Sequence, residues 1–367
     1  MIPILHVFRN GELDHCVALT GTISCHVVEE KNGNFYLEME LAYIDAHFNV
    51  GSVIEVLTAE NISETNLFSV ISLKIDISGV YHVYAEQTTL NAAKKAVVLP
   101  IVQGQRSLLG MRTVIKNKLV FDIDFDIKMV GDKDPTKYQH GFDVPRSLKN
   151  ALLGEKGSVL DVIGKGDFRW TKDHVYFHPA TGEYARGKTL HSGIYSGVNL
   201  IDYTYEQSIA NEYNNALAYW RDEQTGTIVI GQAYYVHDYN KCMIYDASAK
   251  YEEAPSKADL DQEAWDQYVT HSGASVSLNV KFVPNVILNG SIIQPDANNQ
   301  NIEAIGMCDI IPISIPEIGL DSTVQIIKTD YNVLTGLYNS VEAGTPRKSL
   351  ETALAQTAYR TGVSLFK

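Results

Sequence analysis

Seven consecutive residues constrain this chain more than any other feature. Between Phe35 and Leu41, the apolar Phe35, Leu37, Met39 and Leu41 alternate with Tyr36, Glu38 and Glu40. A period of two buries one face of a strand and cannot make a helical stripe. Lys31-Asn32-Gly33-Asn34 stands just before it, and Arg9-Asn10-Gly11-Glu12 stands earlier. Both carry the Asn-Gly signature of a tight hairpin turn. Strands are therefore predicted over 22–28 and 34–41. Three more follow over Val53–Leu57, 67–75 and 80–86, at the short spacing of an antiparallel barrel or sandwich. The 21 Tyr residues, against 11 Phe and 3 Trp, suit half-buried strands and pairing surfaces.

The centre of the chain reads as mixed α and β. A short helix is predicted over 89–98, capped by Thr89 and ended before Pro100. Residues 119–129 alternate apolar side chains with Asp122, Asp124 and Asp126. A helix over 145–153 starts with an early Pro, and Gly157-Ser158 opens another through Ile163. Asp167–Trp170 and His174–His178 read as strands. Asn215–Arg221 and 227–236 form a hairpin around the turn 222–226, and 260–268 is a helix. Residues 275–283 alternate again, 285–300 should be an exposed loop, and 347–359 should be a helix with Leu350, Leu354 and Ala358 at spacing four.

An internal echo runs through this order. The early series is 35–41, 51–56, 67–74 and 80–86. The late series is 276–282, 307–313, 322–328 and 336–342, with matching strand lengths and little residue identity. The expected fold is α+β, mainly β: two related antiparallel β-barrels with a mixed α/β central region. The expected division is a first β-barrel over 1–100 and a mixed α/β domain over 101–205. A second β-barrel follows over 206–345, with a helical insertion near 255–272, and then a C-terminal helix over 346–367.

The search for chemistry returns structural readings. The 30 basic and 44 acidic residues give a net charge of −14, which argues against a protein that grips nucleic-acid phosphates. Four cysteines, Cys16, Cys25, Cys242 and Cys308, are too few for a disulfide scaffold and read as reduced thiols. His15-Cys16 and Cys25-His26 face each other in sequence. Strand neighbours point to opposite faces, so the four do not converge on zinc. His174 and His178 share a strand face but lack the helix and interposed Glu of a metalloprotease. Asp122, Asp124 and Asp126 resemble a calcium loop, yet Ile127 replaces its Gly and Lys133 its bidentate Glu. Gly154, Gly157, Gly164 and Gly166 lack the Lys-Ser/Thr ending of a phosphate loop. There is no nucleophile elbow and no Cys-x-x-Cys. No catalytic, cofactor-binding or metal residue is expected, and no cofactor. The start of the chain carries no secretory signal, and no apolar run is long enough to span a bilayer.

From Arg146 onward the order of features resembles the minor structural proteins of long-tailed phages and prophages, the tail-tip hub or tail-associated lysin N-terminal module. The resemblance rests on Ala151-Leu-Leu-Gly-Glu-Lys-Gly-Ser-Val-Leu-Asp-Val-Ile163, then Gly166-Asp-Phe-Arg-Trp170 and the strand around His174 and His178. It continues through 187–193, Asn199-Leu-Ile-Asp-Tyr-Thr-Tyr205 and Ala216-Leu-Ala-Tyr-Trp-Arg-Asp222. Upstream, Leu67-Phe-Ser-Val-Ile-Ser-Leu and Val80-Tyr-His-Val-Tyr-Ala-Glu86 look like the family's early strands. Downstream, Val324-Gln-Ile-Ile-Lys-Thr-Asp330, Val341-Glu-Ala-Gly344 and 350–354 fit its ending. One departure is Gln87-Thr-Thr-Leu90, where the family usually carries a His-containing stretch.

The resemblance implies a homotrimeric ring at the distal end of the tail tube, two related barrels per subunit, and DNA passing at ejection without specific binding. Implied partners are the distal tail protein, the tail-tube and tape-measure proteins, and receptor-binding or lysin proteins. The implied place is the virion tail tip, assembled in the cytoplasm of the bacterial host. Many relatives carry a C-terminal peptidoglycan hydrolase or receptor-binding extension, which would begin where this chain ends at Lys367. A cell-wall-cutting role is therefore not carried over, and the expectation is a non-enzyme. The alternatives are a cell-wall peptidase or glycosidase, which needs a metal or acid pair, and a glycan-binding adhesin, which exposed Trp and Tyr lining a groove would favour; Trp170, Trp220 and Trp265 read instead as core or interface residues.

Overall fold

The computed structural model describes residues 2–9, 12–58, 65–131, 136–154, 156–180, 182–190, 193–196, 200–208, 215–222, 224–232, 234–235, 242–248, 250–251, 253–271, 275–282, 286–288, 291–293 and 305–344. The predicted helix over 347–359 lies outside them.

The first half of the sheet comprises β1 (Ile4–Arg9), β2 (Glu12–Ala18), β3 (Thr22–Glu30), β4 (Phe35–Leu41), β5 (Val53–Leu57), β6 (Thr65–Ile75) and β7 (Tyr81–Gln87). The alternation that opens the sequence appears directly as burial: Phe35, Leu37, Met39 and Leu41 of β4 are all buried. β4 lies between β3 and β7, and the order continues β7-β6-β5-β1-β2. The Lys31–Asn34 turn closes the β3–β4 hairpin, with Asn32 in the left-handed region at φ 54. Asn tolerates that conformation better than most residues.

The central region begins with α1 (Thr88–Lys95), then β8 (Val97–Val98), β9 (Ile101–Arg106), α2 (Leu108–Asn117), β10 (Asp126–Met129) and β11 (Tyr138–Phe142). It continues with β12 (Arg146–Ser147), α3 (Leu148–Leu152), α4 (Val159–Ile163), β13 (Asp167–Trp170) and β14 (His174–His178). Several expectations are corrected here. Gln87, not Thr89, caps α1: its side-chain oxygen accepts from the Leu90 N–H at 2.8 Å, while the Thr89 hydroxyl donates to Thr171 O at 2.9 Å. Residues 97–98 leave the helix to pair with β12. α3 starts after Ser147, whose hydroxyl caps it, because Pro145 precedes an extended pair rather than a helical turn. Only 126–129 of the alternating 119–129 stretch pairs as a strand, against β14. The core of this region is continuous with that of the first half, from Leu5 through Phe68 to Phe177.

The second half contains β15 (Ile194–Tyr195) and β16 (Leu200–Ser208), then an insertion of β17 (Asn215–Arg221), β18 (Ile228–Ile230), β19 (Tyr234–Tyr235), β20 (Cys242–Asp246) and α5 (Lys257–His271). The strand expected over 227–236 is two short strands, both paired with β17. The insertion has its own small core of Ala216, Ala218, Trp220, Met243, Ala247, Leu260 and Ala264. The chain returns as β21 (Ser275–Phe282). Within the expected loop 285–300, β22 (Val286–Leu288) and β23 (Ser291–Ile293) pair as a hairpin, and the two residues between them read Asn-Gly in sequence. β24 (Ile310–Ile315), a short 3-10 turn, β25 (Leu320–Asn332) and β26 (Leu337–Gly344) complete the fold. The chain is thus mainly β with five described helices, none long and apolar enough to cross a membrane.

The internal echo is present as pairing order. The first half runs β3-β4-β7-β6-β5 and the second β16-β21-β26-β25-β24. Register agrees as well as order up to Asp330, after which β26 shifts once more against β25, a shift absent between β6 and β7. β3 shifts against β4 between Thr22 and Ser24, and β16 shifts against β21 between Leu200 and Asp202. β6 shifts against β7 between Val70 and Ser72, and β25 shifts against β26 between Ile326 and Lys328. These shifts make Val83 equivalent to Val341, Ala85 to Ala343, Ile54 to Ile311 and Val70 to Ile326, all buried. Gly51 (φ 93) and Cys308 (φ 69) are also equivalent: their N–H groups donate to Val70 O and Ile326 O at 2.8 and 3.0 Å. Glycine is the ordinary occupant of that conformation. The halves differ at the β3–β4 turn, whose counterpart between β16 and β21 holds the whole insertion.

His140 on β11 gives a test of the central core. It is fully buried, and among the described residues neither ring nitrogen has a hydrogen-bond partner. Burial, with the nearby Arg106 and Arg146 charges, pushes its pKa down to about 4. The unfolded imidazole titrates near 6.5 and binds its proton first on acidification. Stability is therefore full above about pH 6.5 and falls as the pH drops toward about 4, by as much as ~3 kcal/mol. Urea unfolding from pH 4 to 7 should show this slope, and His140→Asn should flatten it.

Candidate functional site: the joint between the halves

β25 pairs twice along one edge. Its first part, from Leu320 to Gln325, lies against β24. The same edge then passes to β3, with Lys328 opposite Glu30, Thr329 opposite Glu29, Asp330 opposite Val28, Tyr331 opposite Val27 and Asn332 opposite His26. Hydrogen bonds from Lys31 N to Ile327 O (2.8 Å) and from Val333 N to Cys25 O (2.9 Å) extend the ladder at both ends. This junction makes one thirteen-stranded sheet out of the two halves. On its half-buried rim, Lys328 Nζ lies 3.1 Å from Glu30 and 3.8 Å from Glu342. Such rim pairs contribute little individually.

Beside the ladder is a buried ionic group. Arg186 donates through Nη1 to Asp167 Oδ2 at 2.8 Å and through Nη2 to Glu29 Oε1 at 2.5 Å. Asp167 comes from β13, Glu29 from β3, and all three side chains are at most one-tenth exposed. Next to it, Asp309 accepts from the backbone N–H groups of Lys188 and Gly306, each at 2.8 Å. The first half, the central region and the start of the second half therefore meet on fixed charges. Asn32 adds a neutral tie: it donates to Gly166 O at 2.9 Å and accepts from Phe168 N at 2.8 Å.

The chemistry of this group is positional. A guanidinium does not give up its proton in a protein, so it offers no acid–base cycle. Burial pushes the adjacent Cys308 thiol well above its ordinary value, with Asp167 adding to the effect, so it stays protonated and poorly nucleophilic.

The residues weighed for chemistry in the sequence are scattered. His15 and exposed Cys16 lie on β2, and Cys25 and His26 on β3, strands that do not pair with each other. Burial pushes the Cys25 thiol up to about 12. His174 and His178 share a face with Tyr176 between them, and the His178 Nδ1 lies 3.0 Å from Tyr184 O. Among the three aspartates, Asp126 is engaged by Arg112 at 3.1 Å and Lys116 at 2.8 Å. Lys133 lies outside the described residues. Gly157 serves close packing: a Cβ there would fall 2.0 Å from Gly141 O, and its N–H already donates to Asp161 at 2.7 Å. Among the described residues, no group of three or more His, Cys, Asp or Glu side chains could hold a metal ion. Trp170 and Trp220 are buried, whereas Trp265 on α5 is exposed and packs on Tyr268. Sequence reading missed Arg186, Asp167 and Glu29 as a group. They lie 19 and 157 positions apart and carry no spacing signal.

No family model and no curated protein sequence matches the chain. Solved structures do match. A prophage tail protein, gp18, from Listeria monocytogenes superposes with a TM-score of 0.62 at 12% identity, covering 99% of this chain and 100% of that one. A 43 kDa tail protein of prophage MuSo2 from Shewanella oneidensis gives 0.58 at 10% identity, covering 94% and 99%. A tail protein from Neisseria meningitidis gives 0.56 at 8% identity, covering 94% and 97%. The chain therefore has the fold of these tail proteins over nearly its whole length.

The joint predicts an asymmetric stability response. Arg186→Met removes the guanidinium that bridges two buried carboxylates and should cost about 3–5 kcal/mol in urea unfolding. Adding Asp167→Leu and Glu29→Leu should recover most of that loss, because none of the three charges of the group then remains.

Proposed function

We propose that this chain is a structural hub subunit of a phage or prophage tail tip. Three copies form a ring that joins the tail tube to the tip and lets DNA pass at ejection. The observation that carries this reading is the repeated half: the same strand order, register shifts and left-handed residue occur twice, and the halves are joined edge to edge. A chain that repeats one β unit presents about six equivalent units when three copies close, which suits a tube of higher symmetry. The shared fold with prophage tail proteins supports the same reading.

In this account each half curls into a barrel-like unit, within 1–100 and 206–345, and the ring is built from those units. The central region over 101–205 and the α5 insertion shape the surface toward the tip. The role is non-enzymatic. Partners are the distal tail protein above, tail-tube and tape-measure proteins through the bore, and receptor-binding or lysin proteins below. The site of action is the virion tail tip, after assembly in the host cytoplasm. With a net charge of −14 per chain, an acidic bore would repel DNA phosphates and keep them moving.

Solution mass tests the reading. At micromolar concentration, light scattering should give three times the 40.7 kDa chain mass, alone or with the distal tail protein added. A strict monomer that also fails to bind that protein would overturn it. Lysis of purified peptidoglycan by this chain alone would replace it with a hydrolase.

A further inference from the structure

The intramolecular joint has an unmatched counterpart. By the register given above, β25 is equivalent to β6, with Ile327 at Ile71, Thr329 at Leu73 and Tyr331 at Ile75. β3 is likewise equivalent to β16, with Val27 at Tyr205 and Glu29 at Gln207. The far part of β25 is paired with β3. The far part of β6, beyond its pairing with β5, has β7 on one side and, among the described residues, no strand on the other. β16 has β21 on one side and is the end of the sheet on the other.

Exposure marks the same absence. Ile327 is 8% exposed at the joint, but its counterpart Ile71 is 40% exposed. Ile75 is 60% exposed, Ile77 fully so, and Tyr205 37%. Edge strands are normally protected by charge or by a covering element. β2, at the other end of the sheet, carries Glu12, Asp14 and His15 in exposed positions. The far part of β6 instead shows Ile71, Leu73 and Ile75, with Lys74 as its only charge.

The backbone is oriented for pairing as well. The Asp76 N–H bonds to Val80 O at 3.0 Å, so by alternation Ser72 and Lys74 bond toward β7. The N–H and C=O groups of Leu73 and Ile75 therefore face the open edge. Their counterparts Thr329 and Tyr331 face β3.

We propose that the open edge of β6 pairs antiparallel with β16 of a second copy, repeating between chains the β25–β3 joint made within the chain. Equivalence sets the register: Ser72 opposite Ser208, Leu73 opposite Gln207, Lys74 opposite Glu206, Ile75 opposite Tyr205 and Asp76 opposite Thr204. Ile75 against Tyr205 restores the aliphatic–aromatic pair that Val27 and Tyr331 form inside the chain. The contact is head to tail, since β6 of one copy meets β16 of the next, and a rotation of one third of a turn per copy closes it into a three-chain ring. This inference rests on the ring reading above and specifies which edges close it.

Disulfide trapping tests it. In a Cys16→Ser, Cys242→Ser background, Ser72→Cys and Ser208→Cys place two thiols at a non-hydrogen-bonded pair, where Cα atoms sit about 4.5 Å apart, within disulfide range. Mild oxidation should give a ladder ending in a covalent three-chain species on a non-reducing gel. Leu73→Cys with Ser208→Cys puts the thiols on opposite faces and should cross-link about tenfold less. Ile75→Pro removes one N–H aimed at the open edge without touching the β7 ladder, and should weaken assembly about tenfold with an unchanged circular dichroism spectrum. A three-chain mass without cross-linking of the matched pair, or with equal yield from the mismatched pair, overturns this interface and leaves the ring reading standing. Single-chain mass without any cross-link, with or without the distal tail protein, overturns both.

Discussion

The β25–β3 ladder is the constraint on which the rest of the molecule depends. A strand of thirteen residues serves two partners on one edge, β24 first and β3 afterwards. The register shift between Ile326 and Lys328 falls near that handover. A bulge increases local twist and re-aims a strand, so β25 can leave one unit and enter the next without losing its ladder to β26. The backbone groups exposed by ending one pairing are taken up by the other, which avoids the cost of a buried unpaired amide.

Hydrogen bonding alone would leave the angle between the halves soft. The Arg186 group fixes it from the side. A planar guanidinium bonded to two carboxylates from different elements has little freedom to rotate. Its value lies in specificity rather than in net stability, because desolvating three charges offsets much of their attraction. The long insertion between β16 and β21 fits the same logic. It replaces a hairpin turn at a position that bears no load in the joint, and it carries its own small core.

Local features of this fold were legible in the sequence, and non-local ones were not. The Phe35–Leu41 alternation, the Asn32-Gly33 turn and strands such as Val53–Leu57 follow from periodicity and turn chemistry. The order of the late strands showed the repeat although few residues match, because burial needs only apolar character at alternate positions. α2 carries a local signal too, since Ser107 supplies a cap and Leu108, Met111 and Ile115 supply a helical stripe. The α1 cap is ambiguous in sequence because Gln87 and Thr89 compete for the same end. The Arg186 group had no local signal. The paired shifts at Val70 and Ile326 became visible only through the ladders themselves, since a bulge changes register without changing composition.

The central claim is that one chain carries two equivalent β units and that three chains close them into a ring. Electron-microscope class averages of the purified protein at micromolar concentration test this most directly. The account predicts a closed particle with three-fold symmetry, a near six-fold inner rim and a central hole. Open filaments, two-fold particles or single compact chains under the same conditions would contradict it.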